Sequence, residues 1–111
     1  MSWTLLSRLA LDKAELLSAE PYRRRAGKDH PGCQIDLLLQ TERYAFVVEV
    51  KRQKSIGQKA LDEIEAQIAA LPRKKSVSVR SVLVYDGELE PCVHAKRVYD
   101  FLIPFSDLIR I

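Results

Sequence analysis

Two apolar runs occupy the middle of the chain: Cys33-Gln-Ile-Asp-Leu-Leu-Leu-Gln40 and Tyr44-Ala-Phe-Val-Val-Glu-Val-Lys51. Both are rich in residues that favour strands, and the polar segment Thr41-Glu-Arg43 between them is short enough for a hairpin turn. Side chains alternate between the two faces of a strand. We therefore expect Glu49 and Lys51 to share a face with Val47, and Asp36 to share one with Gln34 and Leu38.

Around this hairpin, local patterns predict further elements. Leucines at helical spacing predict a helix from Trp3 to about Glu20, ended by Pro21, and glycine and proline predict a loop or an edge strand over 22–32. Ser55-Ile-Gly57 ends the second run, and an amphipathic helix follows over 58–71. The remaining predictions are a strand over 77–85 ended by a turn at Asp86-Gly87, a weak edge or loop over 88–94, a strand over 98–105 and a short terminal helix over 106–109.

The order of these elements predicts the fold class. A helix between the second and third strands can act as a crossover that makes them parallel, whereas the hairpin is antiparallel. We therefore expect an α/β protein with a mixed central sheet flanked by helices. With 111 residues, 47% hydrophobic and 30% charged, the chain fits one domain over 1–111 with a modest core, which a homodimer or a larger partner could stabilise.

Other features of the sequence bear on location. Cys33 and Cys92 lack the spacing of zinc ligands, and no apolar run is long enough to cross a bilayer. The N-terminus also lacks the pattern of a signal peptide. The sequence thus predicts a reduced, cytoplasmic protein with no membrane partner.

Two acidic residues lie inside the apolar runs. Burial of an unpaired charge is costly, so Asp36 and Glu49 need a partner. In the expected hairpin register both carboxylates and the Lys51 amine lie on one side of the sheet. Such a group could bind Mg²⁺ or Mn²⁺, and the ion could activate a water molecule for attack on a phosphate. The alternative is a solvent-exposed face with ordinary salt bridges, which contribute little stability.

The stretch Gly32-Cys-Gln-Ile-Asp36 … Phe46-Val-Val-Glu-Val-Lys51, followed by Ser55-Ile-Gly57 and an amphipathic helix, resembles the PD-(D/E)xK nuclease superfamily. More narrowly, it resembles the nuclease-like domain at the C-terminus of some prokaryotic AAA-type ATPases. The resemblance covers about 21–71. It implies a restriction-endonuclease-like sheet with an αβββαβ core, in which the N-terminal helix is truncated, and an association with an ATPase.

The resemblance also implies an activity, the magnesium-dependent hydrolysis of phosphodiesters, mainly in DNA. Asp36, Glu49 and the Val50 carbonyl would bind the metal, and Lys51 would be the catalytic lysine. Glu20, or less favourably Glu15, is the candidate for an accessory helix glutamate, and Gln58 for a polar residue assisting the site. The chain departs from the family pattern because Gln34-Ile35, rather than a proline, precedes the acid, and because its first helix is short.

Basic residues cluster on both sides of these runs, and such clusters can neutralise nucleic-acid phosphates. The candidates for nucleic-acid binding are Arg23, Arg24, Arg25, Lys28, Arg52 and Lys54. Two alternatives to a nuclease stay open at this point. One is a catalytically inactive nuclease-fold domain that binds nucleic acid or protein, and the other is a purely structural subunit.

Overall fold

A computed structural model describes residues 3–109, and these residues form a five-stranded mixed sheet with helices on both faces. The elements, in chain order, are α1 (Trp3–Arg8), β1 (Ser18–Arg24), β2 (Cys33–Gln40), β3 (Tyr44–Ile56), α2 (Gln58–Ala70), β4 (Ser78–Leu89), α3 (Pro91–Lys96) and β5 (Phe101–Pro104). Two short 3₁₀ helices, Lys13–Glu15 and Phe105–Asp107, complete the structure. The predicted mixed sheet with flanking helices is confirmed.

The strands follow one another across the sheet in the order β1-β2-β3-β4-β5. The first three are antiparallel neighbours, whereas β3, β4 and β5 run parallel. Parallel neighbours need a crossover connection, and α2 and α3 provide the two crossovers. Right-handed crossovers in one direction place both helices on the same face of the sheet.

Each face of the sheet buries its own apolar cluster. The face covered by α2 and α3, called the α2 face below, is packed around Ile35, Val47, Leu61, Ile64 and Leu83. The opposite face, called the α1 face, is packed around Leu6, Leu39, Phe46, Val82 and Ile103. The continuous apolar runs of β3 and β4 follow from this arrangement, because both sides of these strands are buried.

A β-bulge in β2 changes the predicted alternation of its side chains. Two steps along β1, from Glu20 to Tyr22, match three steps along β2, from Leu38 to Ile35, so the extra residue lies at Asp36 or Leu37. Ile35 and Leu38 consequently both pack on the α2 face, while Leu37 packs on the α1 face. Regular alternation would put Ile35 on the same face as Leu37 and Leu39, so the alternation expected from the sequence is wrong at Ile35.

The predicted N-terminal helix over Trp3 to Glu20 is also wrong. Helix α1 ends at Arg8, and Asp12 starts a separate 3₁₀ turn by accepting a hydrogen bond from the Ala14 N–H. Residues from Ser18 onward pair with β2 instead, which supports the edge-strand alternative for the segment after Pro21. Strand pairing has overridden the local leucine spacing here. Pro21 is tolerated in β1 because this is an edge strand.

The predicted turn at Asp86-Gly87 is absent, because β4 continues through it to Leu89. Opposite Gly87, three steps along β3 (Arg52 to Ser55) match two along β4 (Asp86 to Glu88), so β3 is bulged there. Gly87 has φ +146°, and a Cβ atom on it would lie 1.7 Å from the Gln53 carbonyl oxygen. A glycine at this position thus allows β3 and β4 to approach closely.

Three further differences between the predicted and the observed elements lie after Glu88. The segment from Glu88, predicted as a weak edge strand or a loop, contains helix α3, and Pro91 is the first residue of this helix. The last strand begins only at Phe101, because the preceding residue, Asp100, accepts a hydrogen bond from the Ser81 N–H through its side-chain carboxylate, at 2.8 Å. The predicted terminal helix is a 3₁₀ turn one residue earlier. Within the described part of the chain, no helix has the length and apolar character needed to cross a membrane.

Candidate metal and catalytic site

The bulge in β2 places Asp36 beside the end of the β2–β3 ladder. Regular pairing of the two strands ends at Leu37 and Val48, so beyond this point β3 lacks a backbone partner on that side. The Asp36 Oδ2 atom accepts a hydrogen bond from the Val50 N–H at 2.9 Å. The carboxylate therefore replaces a ladder carbonyl and lies between the two strands.

Glu49 projects from β3 towards α2 and is only 8% exposed. Its Oε1 atom is buried without a hydrogen-bond partner. The pKa of Glu49 is raised from 4.5 to about 7, chiefly by burial and next by the neighbouring Asp36 charge, while Lys51 opposes the rise. A buried carboxylate with an unsatisfied oxygen is unfavourable on its own. This oxygen is thus suited to a cation or a proton donor.

Lys51 lies two residues beyond Glu49 on the same face of β3. Its ammonium group forms an ion pair with Glu63 of α2, with 2.8 Å between Nζ and Oε2. The Lys51 side chain is 15% exposed and that of Glu63 is 40% exposed. The amine is therefore held beside the two carboxylates at the partly open end of the site.

Two residues at this site were missed from the sequence. Glu63 borders the apolar stripe of α2 next to Ile64, so an acid at the edge of a buried helix face was the available signal. Tyr99 is buried, and its hydroxyl donates to the Ala60 carbonyl at 3.3 Å. Burial raises the pKa of Tyr99, with smaller contributions from the Glu49 and Glu63 charges. Tyr99 follows α3 and had no motif to mark it.

Comparisons of the chain with models of protein families, with curated proteins and with solved structures find no significant match. The chemistry of this site is therefore inferred from its own residues.

The carboxylates of Asp36 and Glu49 fit a hard divalent cation in part. Mg²⁺ is usually bound by one or two carboxylates and retains several waters, and the free Glu49 Oε1 offers it a buried negative oxygen. Across residues 3–109, however, no group of three or more His, Cys, Asp or Glu side chains is arranged to hold a metal ion. The remaining ligands of a cation would be a main-chain carbonyl and water.

The accessory residues expected from the sequence lie elsewhere. Glu20 is exposed on β1 opposite Leu38. Glu15 lies in the 3₁₀ helix, where its carboxylate accepts from the Asp12 N–H at 3.0 Å. Gln58 is exposed in the first turn of α2 and hydrogen-bonds Asp62 and Lys96. None of these contacts reaches Asp36, Glu49 or Lys51.

The basic candidates divide into two groups. Arg23 and Arg24 end β1, and Arg25 and Lys28 lie in the following loop, so all four flank the start of β2. Arg52 instead contacts the Phe105 ring on the α1 face, 5.6 Å from its centroid, and lies 3.9 Å from Asp86. Lys54 is exposed in the bulged part of β3. Only the first group lies on the β2 side of the candidate site.

Proposed function

We propose that this protein is a magnesium- or manganese-dependent nuclease that hydrolyses phosphodiester bonds, with DNA as the substrate favoured by its resemblance to PD-(D/E)xK nucleases. The observation that carries the proposal is the buried Glu49 carboxylate, which has an unsatisfied oxygen beside Asp36. A structural salt bridge would leave neither the oxygen free nor two acids adjacent. An ion shared by both acids accounts for the arrangement.

Asp36, Glu49 and the Val50 carbonyl would hold the ion. The N–H and C=O groups of a strand residue point to the same side, and the Val50 N–H already bonds Asp36, so its carbonyl faces the same gap. When bound, the ion would supply an activated water and neutralise charge on the phosphate. Glu49 must be ionised to bind it, so the affinity for metal should rise as the pH passes about 7.

Lys51 would stabilise negative charge on the phosphate in the transition state. The electrostatic interaction of an ammonium group with a phosphate is stronger where water is partly excluded. Its present partner is Glu63, at 2.8 Å. A substrate phosphate would compete with this carboxylate for the amine. Until substrate binds, Glu63 would hold the Lys51 ammonium group in position.

We expect Asp36→Ala and Lys51→Ala each to reduce metal-dependent cleavage at least about 100-fold, because each removes a group that acts on charge in the transition state. The measurement is cleavage of single- and double-stranded DNA and of RNA with Mg²⁺, Mn²⁺ or EDTA. Glu42→Gln, an exposed acid in the β2–β3 turn, is the control and should cleave normally. Unchanged cleavage by both site variants would refute the proposed mechanism.

One observation favours a second function. Because the described residues contain no group of three or more side chains arranged to hold a metal ion, the site could be a remnant of a nuclease centre. The domain would then bind nucleic acid or a protein, such as an ATPase, without catalysis.

A thermal-shift titration separates the two functions. If the site binds metal, Mg²⁺ or Mn²⁺ should raise the melting temperature of the protein, since a ligand that binds only the folded state stabilises it by about 2.7 kcal/mol at 100 times its Kd. Asp36→Asn should remove this shift, and Glu42→Gln should retain it. A shift of the same size in the Asp36→Asn variant would place the metal elsewhere and favour the non-catalytic function.

A further inference from the structure

A small pocket lies next to the candidate site, where β1 ends and β2 begins. It has a volume of about 350 Å³ and is lined by Arg23, Arg24, Arg25, Gly32, Gln34 and Gln67, among others. Asp36 follows two residues after Gln34 on β2, and Gln67 lies one helical turn after Glu63 on α2. The pocket and the acidic site thus involve neighbouring residues of the same two elements, β2 and α2.

Arg24 is held in this pocket with part of its guanidinium unused. The Nη2 atom donates to the carbonyl of Ala70, the last residue of α2, at 2.7 Å, and to the Pro31 carbonyl at 3.5 Å. The Nε atom is buried and has no hydrogen-bond partner. A buried donor without an acceptor is costly, and a guanidinium favours oxyanions with two adjacent acceptor atoms. The fixed position of Arg24 and its free donor point to an anionic ligand.

Among the described residues, no acidic side chain forms an ion pair with the arginines of this pocket. Residues 21–32 contain four basic side chains and one acidic residue, Asp29. The ion pairs found among residues 3–109 involve Arg8, Lys51 and Arg52 and none of the three pocket arginines. Gln67 accepts the Gln34 N–H through its side-chain oxygen at 2.8 Å, which leaves its NH₂ group available as a further donor.

We infer that this pocket binds a phosphate group of the nucleic-acid strand whose hydrolysis is proposed above. Arg24 would be the main ligand, assisted by Arg25 and Gln67. Cys33, the strand partner of Arg24, is three residues from Asp36, or about 10 Å along an extended strand. This separation is short enough for the pocket and the acids to contact the same nucleic-acid strand. The pocket would fix the strand so that a neighbouring phosphodiester lies at the acids.

The inference is tested by binding of a fluorescein-labelled single-stranded oligonucleotide to the full chain in EDTA, which prevents metal-dependent cleavage. Arg24→Gln and Arg25→Gln should each weaken binding about tenfold at low salt and reduce the slope of log affinity against log salt by about 0.7. Arg43→Gln removes the same charge at the opposite end of β2 and should reduce affinity much less. Arg24→Lys, which keeps the charge, should retain the slope.

The outcomes distinguish this inference from the proposed function. Equal losses in the Arg24, Arg25 and Arg43 variants, or no binding by the unmodified chain, would overturn the phosphate pocket whether or not the chain cleaves DNA. Binding that depends on Arg24 and Arg25 as described, without cleavage, would support the pocket and refute the nuclease. An oligonucleotide with a terminal phosphate that binds more tightly than one without would identify that end group as the ligand, and equal affinity would identify an internal phosphate.

Discussion

Replacement of Glu49 by glutamine is expected to abolish metal-dependent cleavage and to stabilise the metal-free protein at alkaline pH. The neutral amide has nearly the same shape but cannot ligate a cation as a carboxylate does, so cleavage should fall by at least about 1000-fold. At pH 8 the variant also removes a largely ionised carboxylate that is 8% exposed and has an unpaired oxygen. A functional group that destabilises its own fold is typical of active sites.

The pH dependence of the stability follows from the direction in which folding shifts the pKa of Glu49. The pKa of Glu49 is raised from 4.5 to about 7 by folding, chiefly through burial, so between these values the folded state binds more protons than the unfolded state. The free energy of unfolding of the metal-free protein should therefore fall as the pH rises from 4.5 to about 7. At 1.36 kcal/mol per pKa unit the loss is at most about 3 kcal/mol. Glu49→Gln should lack this loss.

The measurement is urea unfolding of the metal-free protein at pH 5 and pH 8, together with cleavage assays. The difference in stability between the two pH values should be smaller in Glu49→Gln than in the unmodified chain, while Glu42→Gln, with its exposed acid, should match the latter. Addition of Mg²⁺ at pH 8 should stabilise the unmodified chain and leave Glu49→Gln unaffected. Retained cleavage in Glu49→Gln would exclude this carboxylate from the mechanism.

Gly87→Ala is expected to have the largest effect on stability. The added Cβ would lie 1.7 Å from the Gln53 carbonyl oxygen and 2.9 Å from its carbon, both of them backbone atoms, and φ is +146°. The bulged strand cannot move without breaking its ladder with β4. We expect the free energy of unfolding to fall by about 3 kcal/mol or more, and the melting temperature by about 10 °C or more.

Gly32→Ala is the matched control for this variant. Its added Cβ would approach the Ala26 nitrogen at 3.3 Å and the Arg24 carbonyl at 3.4 Å, contacts that a loop can relieve. We expect it to change stability by about 1 kcal/mol or less. Thermal and urea unfolding of both variants, monitored by circular dichroism, decide the comparison. Equal stability of Gly87→Ala and the unmodified chain would show that the two strands are not in close contact at this point.

The hairpin and the mixed sheet could be predicted because their signals are long and local. Strands β2 and β3 contain continuous apolar residues, and the turn between them is short, so few alternative pairings exist. The bulge could not be predicted, because one extra residue leaves the composition unchanged and shifts only the alternation. The structure still places Asp36 next to Glu49, through the bulge and the Val50 N–H rather than through regular pairing.

The start of the chain shows the limit of periodicity. Leu16 and Leu17 continue the spacing of the leucines in α1, but Ser18 and the residues after it pair with β2 through ladder hydrogen bonds. That gain depends on a strand more than a dozen residues away and has no local signature. For the same reason the sequence did not predict that Glu63 and Tyr99 lie at the site. Only the crossover helix and the turn before β5 bring these two residues close to β3.

The composition of β1 has a consequence for self-association. This strand forms one open border of the sheet, where the chain of another molecule could add by backbone hydrogen bonding. Pro21 interrupts the row of donors on β1, and a parallel in-register copy would place arginines of the two molecules opposite each other. Extension of the sheet along this border is thereby disfavoured, and any homodimer would have to form through a different surface.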